Sequence, residues 1–274
     1  MHELLRVRPG FRLDHVDTRS TPGVDADKKT AERMLAEGAL HLSALQERLF
    51  ADSRAGDTRR VLLVLQAMDT AGKGGILRHV VGAVDPQGVQ IASFKKPTAE
   101  ELAHHFLWRI EKRLPEAGMI GVFDRSHYED VLIGRVRQLA PADEIERRYD
   151  EIRAFEQRVA DGGTEIVKVM LHISSAEQKA RLTERLERPD KHWKYNPGDV
   201  DERMLWAEYQ AAYQLVLDRT DAPHAPWYVV PADHKWYARL AVQAILLAAL
   251  ERIDPQWPAA DYDVEHEKAR LAAT

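Results

Sequence analysis

Five short apolar runs, separated by segments of helical spacing, constrain this chain more than any other feature. They read VLLVLQ at 61–66, VQIASF at 89–94, MIGVFD at 119–124, IVKVMLHI at 166–173 and PWYVVPA at 226–232. Runs of this length and Val/Leu content, without polar alternation, suit strands buried on both faces of a sheet. Helical patterns lie between them, over about 74–84, 98–114, 127–138, 142–160, 174–187 and 201–219. A last helix is predicted from about Asp233 to Ile253, with Pro255 past its end. Strands alternating with helices predict an α/β fold, a parallel sheet with helices on both faces. A further long helical pattern runs from Asp27 to about Ala51, ahead of the first strand. Residues 1–25 show no period and read as an irregular arm. With no internal repeat or low-complexity linker, 26–274 reads as one domain.

Composition narrows what such a sheet can serve. At 274 residues with 45% hydrophobic and 30% charged residues, the chain can build a sizeable core. A formal net charge of −5 argues against a general nucleic-acid binder, although a cleft needs only local cations to hold a polyanion. There is no cysteine, so disulfides and thiolate metal sites are ruled out. The N-terminus lacks the apolar core of a signal peptide, and the longest apolar stretch, Leu240 to Leu250, is too short to span a bilayer. The expectation is a cytoplasmic protein with neither membrane nor nucleic acid as partner.

Directly after the first strand stands Gln66-Ala67-Met68-Asp69-Thr70-Ala71-Gly72-Lys73-Gly74-Gly75, followed by a helix. A turn between a buried strand and a helix aims backbone N–H groups and the positive helix end at one spot. Ala71, Gly72, Gly74 and Gly75 are the expected phosphate cradle, and Lys73 can reach the outer phosphates. The match to GxxxxGK[ST] is imperfect. Ala67 replaces the first glycine, where alanine would resist a positive φ, and Gly74 replaces the magnesium-binding hydroxyl. Asp69 is placed to hold a hard cation such as Mg²⁺ in its stead. An ordinary glycine-rich turn is the competing reading; the strand–turn–helix context favours a phosphate loop.

A second cluster, Asp124-Arg125-Ser126, ends the third strand. Ligands of open parallel sheets gather beyond the carboxyl ends of strands, and an aspartate there can reach a metal. Arg125 can bind phosphate oxygens in bidentate fashion. A helix-capping Asp beside a solvated Arg is the plainer alternative. His127 and Tyr128 read as packing at least as readily as substrate contacts. Further on, KARLTERLERPDKHWK at 179–194 crowds Arg185, Arg188 and Lys191 onto a helix that Pro189 stops. Its acids would suit a solvated helix. Its place between the fourth and fifth strands suits a lid, at about 179–200, that closes arginines on phosphate. Trp193 could stack on a base or merely pack. Lys95 and Lys96, past the second strand, could extend a channel of positive charge.

In this order, QAMDTAGKGG, SFKKPTAEEL, VFDRSHYEDVL, RLERPDKHWKYNPGDVDER and APWYVVPADHKWYARLAV resemble the polyphosphate kinase 2 family over about 60–255. The resemblance implies a three-layer α/β/α P-loop kinase fold with a helical lid. It implies Mg²⁺-dependent (or Mn²⁺-dependent) transfer between inorganic polyphosphate and adenine nucleotides (AMP, ADP, ATP), in a homo-oligomer, dimer or tetramer. Carried over by motif, Asp69 positions acceptor and metal, Lys73 holds phosphates, and Asp124 serves metal or acceptor. Arg125 contacts the phosphate chain, and Arg185 and Arg188 act from the lid. FDRSHYEDVL is most similar to the subgroup that uses both AMP and ADP; other subgroups carry Trp in place of His127. The rival from the residues alone is an ATP-dependent nucleoside-monophosphate kinase of the thymidylate kinase type. A nucleotide-binding switch without kinase chemistry fits less well, since no NKxD-like motif is present.

Overall fold

The computed structural model describes residues 1–274. Five strands form one parallel sheet: β1 Arg60–Ala67, β2 Val89–Ser93, β3 Ile120–Asp124, β4 Thr164–His172 and β5 Trp227–Pro231. Their order is β2-β3-β1-β4-β5. β1 is central because every residue after Arg60 is apolar or can bond within the core, and it pairs with both β3 and β4. β2, the partly exposed strand, takes an edge.

Eight helices of six or more residues surround the sheet. They are α1 Lys28–Arg54, α2 Lys73–His79, α3 Ala142–Asp161, α4 Ser175–Glu187, α5 Gly198–Arg203, α6 Trp206–Thr220, α7 Lys235–Ile253 and α8 Val264–Ala272. Alternation along β1 divides the core in two. Val61, Leu63 and Leu65 face a cluster with Leu42 and Leu49 of α1, Ile76 of α2 and Leu246 of α7. Leu62 and Val64 face Tyr149, Ile152 and Phe155 of α3 and Tyr213 and Val216 of α6. The result is the three-layer α/β/α arrangement. No helix is long and apolar enough to cross a membrane.

The strands match the sequence expectation to within two residues, but four predicted helices are broken. The helix expected over 74–84 stops at His79, and a 3₁₀ turn follows at Val81–Ala83. Over 98–114 only Ala99–Leu102 and Trp108–Glu111 are helical. Buried Arg109 reaches back to donate to the Lys95 carbonyl at 2.9 Å, a tertiary contact that outweighs helical spacing. Over 127–138 a 3₁₀ turn at His127–Asp130 precedes a single α turn, Ile133–Val136. The pattern at 201–219 divides at Met204 and Leu205 into α5 and α6. The N-terminal arm is irregular apart from one turn at His2–Leu5 and a 3₁₀ turn at Leu13–His15, yet it is anchored. Leu5, Val7 and Leu13 are buried, and Val7 N–H donates to the Trp227 carbonyl at 2.9 Å.

Candidate active site

The crossing from β1 to α2 builds the phosphate loop. Gly72 holds φ 121° at the helix start, a conformation that disfavours any side chain even though a Cβ there would meet only the Arg181 guanidinium, at 4.0 Å. Thr70 also has positive φ, 66°, and its hydroxyl is buried without a partner. Gly74 faces open space, leaving the first helical turn bare of side chains towards a ligand. Ala67 proves harmless in place of glycine. It is the last residue of β1, paired with Leu171, and is not in the positive-φ region. Lys73 folds back over the loop, its Nζ 3.4 Å from the Ala67 carbonyl.

Arg181 of α4 fixes the loop from behind. It is 5% exposed and donates to four carbonyls: Thr70 at 3.0 Å, Ala71 at 2.9 Å, Ala232 at 2.7 Å and Asp233 at 3.0 Å. Gln178, one turn earlier, donates to the Asp69 carbonyl at 3.2 Å. A planar fork of donors suits this task as no lysine would.

Asp124 ends β3 in register with Leu65 of β1 and Ser93 of β2. Its Oδ1 is buried with no hydrogen-bond partner. Arg125 follows with φ 64°, its N–H donating to the Leu65 carbonyl and its guanidinium reaching Asp69 Oδ1 at 3.0 Å. Burial opposes its charge, but Glu129, Asp69 and Asp124 outweigh that and hold the guanidinium ionised.

Two chambers of opposite character meet at Asp69. The first, about 410 Å³, is a basic trough lined by the phosphate loop, Asp124 and the lid. Lys73, Arg78, Arg181, Arg185, Lys191, Lys194, Lys235 and Arg239 line it against three carboxylates, Asp69, Asp124 and Glu184. The second, about 210 Å³, holds Arg125 as its only Lys or Arg, with Asp69, Glu129, Asp199, Glu202 and the rings of Tyr209 and Tyr213. Burial raises the Glu129 carboxyl despite Arg125 and Lys73, and burial together with Asp69 pushes Asp199 up to about 6. Arg185 bridges the two, donating to Asp199 Oδ2 at 3.2 Å and to the Lys194 carbonyl at 3.0 Å.

A family model of polyphosphate kinase 2 matches residues 25–258. This chain belongs to the polyphosphate kinase 2 family. A relative from Meiothermus ruber, named AMP/ADP-polyphosphate phosphotransferase, is 44% identical over 255 residues, 92% of this chain and 94% of the relative. An ADP-polyphosphate phosphotransferase from Rhodopseudomonas palustris is 42% identical over 267 residues, 92% and 91% of the two chains. The crystal structure of Polyphosphate Kinase 2 from Arthrobacter aurescens TC1 matches with a TM-score of 0.98 at 56% identity, covering 99% of this chain and 96% of that one. The thymidylate kinase alternative gives way to this family.

Within this polyphosphate kinase 2 fold, Asp69, Ala71, Gly72, Lys73, Gly74, Gly75, Asp124, Arg185 and Lys191 all line the trough, and Arg125 lines the adjoining chamber. Three expected cations do not join them. Lys95 and Lys96 are exposed beyond edge strand β2 and line neither chamber. Arg188 points to solvent, paired with Glu184 at 3.0 Å and Asp190 at 2.8 Å. Trp193 is 78% exposed. His127 and Tyr128 are buried, which supports the packing reading. Sequence reasoning missed Arg78 and Arg239, which reach the trough from helix faces that periodicity reads as solvated. It also missed the role of Arg181, indistinguishable by sequence from its neighbours on α4.

Two carboxylates fit a hard cation. Asp124 offers an unpartnered buried oxygen, and Asp69 lines the same trough. No group of three or more His, Cys, Asp or Glu is arranged so that it could hold a metal ion. A pair of carboxylates suits a Mg²⁺ that keeps its waters and shares substrate phosphates, rather than an all-protein cage.

Proposed function

We propose that this enzyme transfers the terminal phosphate of inorganic polyphosphate to ADP and AMP, forming ATP reversibly. The observation that carries the reading is the meeting of a basic trough and an acidic, tyrosine-lined chamber at Asp69. The polyphosphate chain lies in the trough, its charge offset by Lys73, Arg185 and Lys191. The nucleotide enters the second chamber, its phosphate met by Arg125. Asp69 and Asp124 would hold a Mg²⁺, which when bound would supply positive charge against the phosphates. No covalent intermediate is needed, because positioning and charge neutralisation account for most of phosphoryl-transfer catalysis. The relatives named for AMP and ADP support the acceptor assignment. The enzyme acts in the cytoplasm as a homo-oligomer. Trp257, Tyr262 and Leu271, exposed near the C-terminus, support the oligomer because they leave apolar surface uncovered in one chain.

The test is an assay of purified protein with polyphosphate, Mg²⁺ and ADP or AMP, and no other nucleotide. ATP should form from ADP, ADP then ATP should form from AMP, and EDTA should abolish both. A protein that ignores polyphosphate and works only with ATP as donor would refute the reading.

A further inference from the structure

Beneath the turn that carries Arg125 lies a buried polar network that the transfer step itself does not use. At its centre, Lys168 of β4 is 0% exposed. Its three ammonium protons meet three acceptors: Glu156 Oε2 at 2.6 Å, the Thr220 carbonyl at 2.7 Å and the Tyr128 hydroxyl at 2.9 Å. The Tyr128 hydroxyl in turn donates a hydrogen bond to Glu156 Oε1 at 2.7 Å, and His127 Nε2 lies 3.2 Å from the same oxygen. Burial opposes the charge on Glu156, yet Lys168 and His127 outweigh it and hold the carboxyl below its usual range. The pair is ionic, dry and fully matched.

Stability gives little reason for it. A buried ion pair recovers at best about what its desolvation costs, and apolar residues of similar volume commonly do as well or better. Its location supplies the reason. His127 and Tyr128 directly follow Asp124-Arg125-Ser126, and Arg125 sits at φ 64° without being glycine. Such a residue persists only where its surroundings over-determine it. On the near side, the Arg125 N–H is held by Leu65, and the Ser126 hydroxyl accepts from the Tyr128 N–H at 3.2 Å. On the far side, the His127 and Tyr128 side chains are held by hydrogen bonds to Glu156 and Lys168.

We propose that Lys168 and Glu156 are positioning residues for phosphoryl transfer: by clamping His127 and Tyr128 they keep the preceding turn left-handed and Arg125 aimed at Asp69. The clamp ties the 3₁₀ turn after β3 to α3 and β4, so the arginine is referenced to the rigid sheet rather than to a loop. This rests on the reading of Arg125 as a phosphate contact.

Removing Lys168 alone would strand a buried carboxylate, so the informative variant replaces the set together, Lys168→Met/Glu156→Leu/Tyr128→Phe. It should fold cooperatively with a thermal midpoint near wild type. Its kcat for ATP formation from polyphosphate and ADP should fall on the order of 10- to 100-fold, with both KM values within about threefold. Adding Arg125→Ala to it should cost little more, whereas Arg125→Ala alone should cost the full loss. A folded triple variant with wild-type kcat, or losses that simply multiply, would overturn the proposal. Should the triple variant fail to fold, Tyr128→Phe decides: kcat down about fivefold or more supports the clamp, and unchanged kcat refutes it. Wild-type turnover in Arg125→Ala would instead defeat the reading of Arg125 on which the clamp depends, a result separate from failure of the clamp.

Discussion

Asp69 belongs to both chambers and accepts from Arg125, so a change there reaches donor and acceptor together. Asp69→Ala and Lys73→Ala are each expected to lower kcat by about 100-fold or more, since Lys73 would offset phosphate charge directly and Asp69 would do so by holding Mg²⁺. Circular dichroism should stay that of the wild type, because neither side chain packs in a core. Arg181 is a different case. Its guanidinium satisfies four carbonyls behind the loop, and no water can replace it without a cavity. Arg181→Ala should therefore lower both stability, by about 2–4 kcal/mol in urea unfolding, and turnover. Loss of activity with full stability would mean that Arg181 touches substrate rather than the loop.

At the scale of elements, α4 and the 3₁₀ turn at Pro189–Lys194, where a lid was expected, line the trough, and α5 lines the second chamber. Of the expected lid's two arginines, only Arg185 faces inward, latched to Asp199, while Arg188 is occupied by Glu184 and Asp190. Arg185→Ala is expected to raise the KM for polyphosphate about tenfold, and Arg188→Ala by less than about twofold. Steady-state kinetics at fixed ADP separates the two. Equal effects would show that the lid closes further than this structure has it, bringing Arg188 onto the chain.

For the molecule as a whole, a net charge of −5 coexists with a trough of concentrated positive charge. Polyphosphate binding should thus weaken steeply with salt, its KM rising several-fold between about 50 and 500 mM NaCl, while the urea midpoint changes little. Stability also carries a pH signature at His172, which ends β4 and is 7% exposed. Burial pushes its pKa from the usual 6.5 down to about 4, against a smaller upward pull from Asp233. Between those values the unfolded chain binds a proton that the folded chain refuses. Stability therefore rises with pH across this window and is lost on acidification. Urea unfolding at pH 7 and 4.5 should show the wild type losing about 2 kcal/mol more than His172→Gln. Equal losses would place the ring in contact with water.

The strands, their parallel arrangement, the phosphate loop and the strand-end pair Asp124-Arg125 were all legible in the sequence. Each is a local pattern: an apolar run, a glycine-rich turn, an acid at a strand end. What the linear pattern could not carry was which cations converge. Lys95, Lys96 and Arg188 carry the same charge as Arg78, Arg181 and Arg239, yet the first three face solvent and the last three line the trough. Whether a charged side chain meets the site depends on the rotation of its helix and on strand order, which are settled by packing across the two cores. The broken helices at 98–114 and 127–138 have the same cause. Arg109 and the Lys168–Glu156 pair act through partners 12 to 40 residues away, and no local period records such contacts. Short-range spacing sets the elements, and long-range burial decides which of their side chains meet.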